Sequence, residues 1–237
     1  EAFGSQFENI HAIETGMSAS PEMLWQLSFL NDKTILSFSD SHSFWPWRLG
    51  REATIFSEIN SYQDIIRQIR ENKIVGTIET DPGYGIYHYD GHRNCNFSCS
   101  PEETKKIMGF CPVCKEQLTI GVDNRVKELT DQDIEKHIHK KQYYKMLPLH
   151  ELIVLAKAST LASRKTWLVY NQLIEKFNNE FNILLDVPEA ELKKALPQDN
   201  LLVDLILKNR EGKIKVKPGY DGEYGIPLLS EVQKKLI

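Results

Sequence analysis

Cysteine is scarce and confined: the four present, Cys95, Cys99, Cys111 and Cys114, fall within 20 of the 237 residues. That excludes a disulfide framework spread over the fold, and without a recognisable secretory leader metal binding is favoured over cross-linking. Long apolar runs are missing too. Leu201–Leu207 is interrupted by Asp204, and no stretch approaches the roughly 18 apolar residues of a membrane span, so no membrane partner is expected. Nor is there an excess of positive charge. Lys and Arg number 29 against 33 Asp and Glu, a net charge of −4, so any contact with nucleic acid requires a local basic face. No repeat or low-complexity tract occurs. The 41% hydrophobic and 26% charged fractions are ordinary for a globular protein and exclude global disorder, a collagen-like repeat or a coiled coil. The sequence opens at Glu1 with no initiator Met and no basic-then-apolar leader, and is expected to be a fragment of something longer.

What is present divides into three parts. Residues 1–79 read as α/β. Short strands are expected at His11–Ile13, Thr34–Ser39 and Ile74–Ile78, alternating with helices at Pro21–Leu30 (Ser20 as cap) and Ser61–Glu71, which implies a largely parallel sheet. Residues 80–126 are turn-rich, hold all four cysteines and form too small a core to stand without a metal. Residues 127–237 read as mainly helical, with apolar residues at helical spacing in Leu152–Ala162, Lys165–Phe181 and Leu201–Asn209. A strand at Lys213–Lys217 and the turn Pro218-Gly219-Tyr220-Asp221-Gly222 follow.

Cys95 and Cys99 have three residues between them, Cys111 and Cys114 two, and two such pairs suit one tetrahedral zinc. Cys111-Pro112-Val113-Cys114 has the form of a zinc-ribbon knuckle. The first expectation is an all-cysteine structural site; the rival is His92 with Cys95, Cys111 and Cys114, which restores a two-residue gap and leaves Cys99 free. Either set is closed, with no open position for catalysis.

Asp40 and His42 follow an apolar run where a strand would end, the place where α/β sheets gather functional groups. The segment continues as Ser43-Phe44-Trp45-Pro46-Trp47-Arg48-Leu49-Gly50-Arg51-Glu52, an unfavourable surface loop unless something binds it. It resembles the last metal-ligand motif of the polymerase-and-histidinol-phosphatase (PHP) phosphoesterases, which ends in Asp-x-His. Glu14-Thr15-Gly16-Met17-Ser18, Trp45-Pro46-Trp47-Arg48, Gly91-His92-Arg93-Asn94-Cys95, Ser100-Pro101-Glu102-Glu103-Thr104, Leu118-Thr119-Ile120-Gly121-Val122 and Pro218–Gly225 narrow the resemblance to endonuclease Q over nearly the whole chain.

The resemblance implies an α/β fold forming the end of a PHP barrel, then a small zinc-binding domain and a mainly helical C-terminal domain. It implies a metal-dependent DNA repair endonuclease cutting 5′ of deaminated bases (uracil, hypoxanthine, xanthine) or at abasic sites. Such an enzyme would be cytoplasmic and associated with the nucleoid, with replication or repair proteins as conceivable partners. The family's opening His-x-His strand and further ligands are absent. The only His-x-His, His137-Ile138-His139, lies in Glu135–Lys141, read here as a solvated helix face. The chain is therefore expected to carry Asp40 and His42 as catalytic metal ligands (for Zn2+, Mn2+ or Mg2+) without the first half of the PHP domain, and to be inactive alone. Glu14 is a candidate ligand or outer carboxylate. Trp45, Trp47, Arg48, Arg51, Arg93, Arg164 and Lys165 are the expected DNA contacts, with Tyr84, Tyr87 and Tyr89 as further aromatic candidates. A non-catalytic nucleic-acid-binding zinc module and a PHP phosphatase acting on a small phosphoester are the competing readings.

Overall fold

The computed structural model describes residues 3–229. Its elements begin with β1 (Ala12–Glu14), α1 (Pro21–Leu24), β2 (Thr34–Leu36), α2 (Pro46–Leu49), β3 (Ala53–Ile55), α3 (Tyr62–Arg70) and β4 (Gly76–Glu79). They continue with β5 (Asp90–His92), β6 (Phe97–Cys99), α4 (Pro101–Lys106), α5 (Val122–Leu129), β7 (Gln142–Lys145), α6 (Leu149–Lys157) and α7 (Arg164–Phe177). The last are α8 (Glu189–Ala195), α9 (Asn200–Arg210), β8 (Lys215–Lys217) and β9 (Ile226–Leu228). Among the described residues the chain forms two compact units, one of 3–38, 52–143 and 217–226, the other of 39–51, 144–216 and 227–229.

In the first unit β1 and β2 pair in parallel, Ala12 opposite Thr34 and Glu14 opposite Leu36. The expectation of a largely parallel sheet stops there, because β3 and β4 are antiparallel, Ala53 opposite Ile78. The reversal follows α3. Asn72 takes a left-handed φ of 49° just after the helix, and Val75 N–H then donates to Ile55 O at 2.8 Å, entering β4 against the end of β3. Ser61 caps α3 as its sequence indicates, accepting from Asp64 N–H at 3.3 Å.

The helix expected over Pro21–Leu30 is only one turn, Pro21–Leu24, followed by a 3-10 turn at Ser28–Leu30. Ser20 makes no side-chain cap, and Ser28 is drawn off by Asp131, which accepts its N–H at 2.7 Å and its hydroxyl at 2.5 Å. Contacts remote in sequence override local propensity here. The same holds at the His-x-His: a 3-10 turn covers Ile134–Lys136, and His137, far from solvated, is buried. Its ring stacks on Trp25 at 5.9 Å and its Nδ1 meets Asn31 Oδ1 at 2.9 Å; His139 is exposed. Leu24, Trp25, Leu27, Leu30 and Ile35 form the core beneath.

In the second unit Leu149, Leu152 and Ile153 of α6 have no exposed surface and pack with α7 and α9. Asn209, also buried, closes this helical core onto the incoming chain: Leu147 N–H donates to its Oδ1 at 2.9 Å and its amide donates to Leu147 O at 3.0 Å. Helix α6 ends earlier than apolar spacing indicates, at Lys157, because Ala158 turns left-handed with φ 46°. Ser163 then caps α7, accepting from Thr166 N–H at 3.3 Å.

The tail turn Pro218–Gly222 joins the first unit. Tyr89 N–H donates to Gly219 O at 2.9 Å, Thr119 hydroxyl to Asp221 Oδ1 at 2.7 Å, and Tyr220 hydroxyl to Asn96 Oδ1 at 3.0 Å. Gly91 permits this approach, since a Cβ there would sit 2.3 Å from the Tyr220 ring and 2.9 Å from Phe97 O. Gly91→Ala is expected to cost about 1–3 kcal/mol through overpacking, a fall in melting temperature of roughly 2–10 °C. Calorimetry showing an unchanged transition would remove the tail from the module's support.

Candidate metal centre and strand-edge site

The cysteine module is a two-stranded ribbon, β5 against β6 with Asp90 opposite Cys99, followed by α4 and the Cys111–Cys114 turn. Its organiser is Asp90, fully buried. Oδ1 accepts Gly121 N–H at 2.6 Å, and Oδ2 accepts the Thr104 hydroxyl and the Asn124 amide, each at 2.5 Å. Three donors satisfy one buried carboxylate, and the ribbon, α4 and α5 are thereby held together. Ser100 and Glu103 form a reciprocal capping box at the start of α4.

Each ligand pair ends in a left-handed residue, Asn96 (φ 48°) after Cys95 and Lys115 (φ 66°) after Cys114. At the second turn Lys115 N–H donates to Cys111 O at 2.9 Å and Cys111 N–H to Glu116 O at 2.7 Å, which closes the turn carrying the buried Cys111 and the exposed Cys114. The ligand atoms of His92, Cys95, Cys111 and Cys114 all lie within 4.8 Å of one another. Tetrahedral zinc, with bonds of about 2.0–2.3 Å, sets ligand atoms roughly 3.5–4 Å apart, so the donor set fits. The expected ligand Cys99 lies outside this set and His92 stands in its place. Cys99 is buried on β6 with its Sγ 3.2 Å from Thr104 Oγ1, held by the same hydroxyl that serves Asp90.

His92 Nδ1 is 3.1 Å from Cys114 Sγ, and its Nε2 lies 3.6 Å from a Glu116 carboxylate oxygen. A ligating imidazole with its far nitrogen toward a carboxylate is the usual arrangement for fixing ring orientation. Burial resists ionisation of Cys111, but the backbone N–H of Cys114, the His92 ring and the backbone N–H of Val113 outweigh it and pull the thiol below its ordinary value. Cys95 beside it is pushed up by burial and by the sulfurs of Cys114 and Cys111. The cluster can hold a metal ion with all four positions filled by protein.

Asp40 and His42 face each other. His42 Nε2 is 3.5 Å from Asp40 Oδ2, with the side chains 87% and 88% exposed, and Asp40 takes a left-handed φ of 41° that turns it toward the ring. Two ligand atoms are thus presented to solvent; among the described residues no third histidine, cysteine or carboxylate completes a group with them.

The loop that follows is not wholly surface. Trp47, expected to touch DNA, is only 6% exposed and packs against His150 and Trp167, so its ring belongs to the core of the second unit. Trp45 is half-exposed and stacks on it at 4.9 Å with planes 9° apart. Arg48 and Arg51 are half-buried, and Arg51 Nη2 donates to Ser39 O at 3.2 Å. Arg93 is exposed while its backbone N–H donates to Asp221 at 2.8 Å. Arg164 and Lys165 are exposed at the start of α7, and Lys165 Nζ donates to the Lys157 carbonyl that ends α6 at 2.8 Å. Tyr84 is buried against Tyr224, and Tyr89 stacks on His88.

Sequence reasoning overlooked Glu79 and His150. Glu79 ends β4 fully buried, accepting from the Thr15 hydroxyl at 2.9 Å. Burial pushes its carboxyl up to about 7 against the pull of the Thr77, Thr15 and Ser37 hydroxyls. A carboxylate closing the apolar run Ile74–Ile78 was the available signal. His150 carried none, since only packing shows it to be enclosed.

Residues 148–213 match the MJ0043 C-terminal domain family. The chain is 34% identical over 222 residues to the uncharacterized protein MJ0043 of Methanocaldococcus jannaschii, covering 90% of itself and 28% of that protein. It is 28% identical over 221 residues to the uncharacterized protein YqxK of Bacillus subtilis, covering 91% and 52%. It thus spans between about a quarter and a half of these relatives. The crystal structure of the lesion-specific endonuclease PfuEndoQ from Pyrococcus furiosus superposes with TM-score 0.83 at 27% identity, over 94% of this chain and 56% of that one. Endonuclease Q in complex with a 27-mer duplex bearing an abasic lesion at its active site gives 0.82 at 26% identity, with the same coverage. Among the described residues no helix is long and apolar enough to cross a membrane. In fold and in sequence the chain is similar to the solved endonuclease Q structures, matching about half their length.

Proposed function

We propose that this chain is the lesion-engaging portion of a metal-dependent DNA repair endonuclease of the endonuclease Q type. The activity is hydrolysis of the phosphodiester 5′ of uracil, hypoxanthine or xanthine, or at an abasic site. The observation that carries it is the Asp40–His42 pair, 3.5 Å apart and open to solvent, within a fold shared with a lesion-specific endonuclease. Asp40 offers a carboxyl oxygen and His42 an imidazole nitrogen, donor types that suit Zn2+, Mn2+ or Mg2+. Divalent cations in such a cluster supply an activated water for in-line attack at phosphorus. Two donors are fewer than a catalytic zinc takes from protein, so the reading places the other ligands on a PHP half that precedes these residues, and residues 1–79 at the end of that barrel. Residues 80–126 and 127–237 are then the zinc-binding and helical modules that hold DNA through Arg93, Arg164 and neighbouring cations, by phosphate contacts that carry no sequence information.

The test is cleavage of a duplex containing one deoxyuridine or one abasic site. The 237-residue chain alone is expected to bind and leave the strand intact. Joined to the PHP half it is expected to cut, and Asp40→Ala is expected to lower cutting by 10²-fold or more while binding persists. Cutting that survives Asp40→Ala overturns the assignment of the pair. A second reading, a non-catalytic nucleic-acid-binding zinc module, is favoured by one contrast: the four-ligand cluster is complete within this chain and the Asp40–His42 set is not. Binding with a steep salt slope, and no cutting by the joined protein, would decide for it.

A further inference from the structure

In the second unit four rings run inward from solvent. Phe44, 77% exposed, lies 4.8 Å from Trp45, which stacks on Trp47 at 4.9 Å, which in turn meets His150 at 4.7 Å. His150 is enclosed by Trp167 at 4.7 Å and Tyr170 at 4.0 Å. The inner end is packed, so the column is stiff; Phe44 at its outer end spends little of its surface on the fold. The loop presenting it is pinned, with Ser41 hydroxyl donating to Ser43 O at 2.6 Å, and Pro46 opens α2 just beyond. Phe44 lies two residues after His42, no more than about 7 Å along the chain.

We propose that Phe44 is a stacking seat for an unpaired nucleobase, with Trp45, Trp47 and His150 as its rigid support. This deepens the proposed function: lesion recognition leaves a base without its partner, and the ring beside the Asp40–His42 pair receives it. A flat ring at the end of a supported column suits a flat ligand. Stacking on an aromatic side chain tolerates any base, because every base has a π-face. His42 and Arg48, two and four residues from it along the chain, give the segment polar groups suited to a nucleotide rather than to an apolar protein surface.

The experiment compares binding of the chain to a short oligothymidylate and to an abasic oligonucleotide of equal length, which keeps the phosphates and lacks the rings. Phe44→Ala is expected to weaken oligothymidylate binding about tenfold, to leave abasic binding unchanged, and to abolish oligothymidylate quenching of tryptophan emission. Phe44→Tyr is expected to restore all three readouts. Equal losses on both ligands, no loss on either, or wild-type affinities that do not differ between them overturn the stacking assignment while the DNA reading stands. Wild-type failure to bind either oligonucleotide removes both. Self-association of the chain that disappears in Phe44→Ala gives the ring to a protein interface and also overturns the proposal.

Discussion

With the four-ligand cluster expected to take up one zinc ion per chain, Cys111→Ser is expected to abolish that uptake, and with it the ordered structure of the module around residues 90–119. Cys111 has no exposed surface, stands in the four-ligand group, and shares a small core with Cys99 and Leu118. So few buried apolar groups cannot hold a ribbon, a short helix and two tight turns, and structural zinc in modules of this size contributes on the order of 10 kcal/mol. The tail should loosen with it, because Asp221 and Tyr220 are anchored on Arg93, Thr119 and Asn96 of the same module. Metal content by mass spectrometry and proteolysis within 90–119 read both effects. Cys99→Ser is the discriminating control: with its sulfur on Thr104 it should keep the zinc, whereas His92→Ala should lose it. Zinc retained by His92→Ala and lost by Cys99→Ser would restore the all-cysteine set. Glu116→Gln should lie between, weakening zinc about 10–100-fold by freeing the imidazole it faces.

The contrast between Cys99 and His92 shows how far sequence carries. The knuckle was legible because Cys-x-x-Cys closes a turn by local hydrogen bonds, and those bonds are present. The other pair stayed open between Cys99 and His92, because spacing along the chain does not say which group reaches the knuckle; in the fold the Cys99 sulfur meets Thr104 while the His92 ring meets Cys114. Helices α3, α7 and α9 were legible from their apolar period. The α1 region and His137 were not, since their partners Asp131, Trp25 and Asn31 lie more than a hundred residues away along the chain. In the loop after Asp40 and His42, Trp47 is buried where a surface contact was expected, because an aromatic-rich loop looks the same in sequence whether its rings anchor the loop or face solvent.

His150→Phe is expected to make the second unit more resistant to acid. The ring of His150 has no exposed surface, and among the described residues neither nitrogen has a hydrogen-bond partner. The hydroxyl of the adjoining Tyr170 ring donates to Glu180 at 3.0 Å, whose other oxygen accepts Leu149 N–H at 2.7 Å. Burial therefore holds His150 neutral, lowering its pKa from 6.5 to about 4. Above pH 6.5 neither folded nor unfolded chain binds this proton, and the native state carries no penalty from it. Between pH 6.5 and about 4 the unfolded chain takes the proton and the folded one refuses it, so stability falls as pH falls, by at most ~3 kcal/mol. Phenylalanine keeps a ring between Trp47, Trp167 and Tyr170 and removes the titration. The variant should match or exceed the wild type in melting temperature at pH 7, since two unsatisfied polar atoms are gone. The gap should widen steadily as pH is lowered toward 4, and Glu180, raised by its own burial, is common to both proteins and cancels in the comparison. A gap independent of pH would mean that His150 is protonated alike in both states and is not sealed by the ring column. If it is sealed, acid should loosen the base of the column, and the Trp45–Trp47 stack should lose its fixed geometry over the same pH range in the wild type and keep it in His150→Phe, which near-ultraviolet circular dichroism reports.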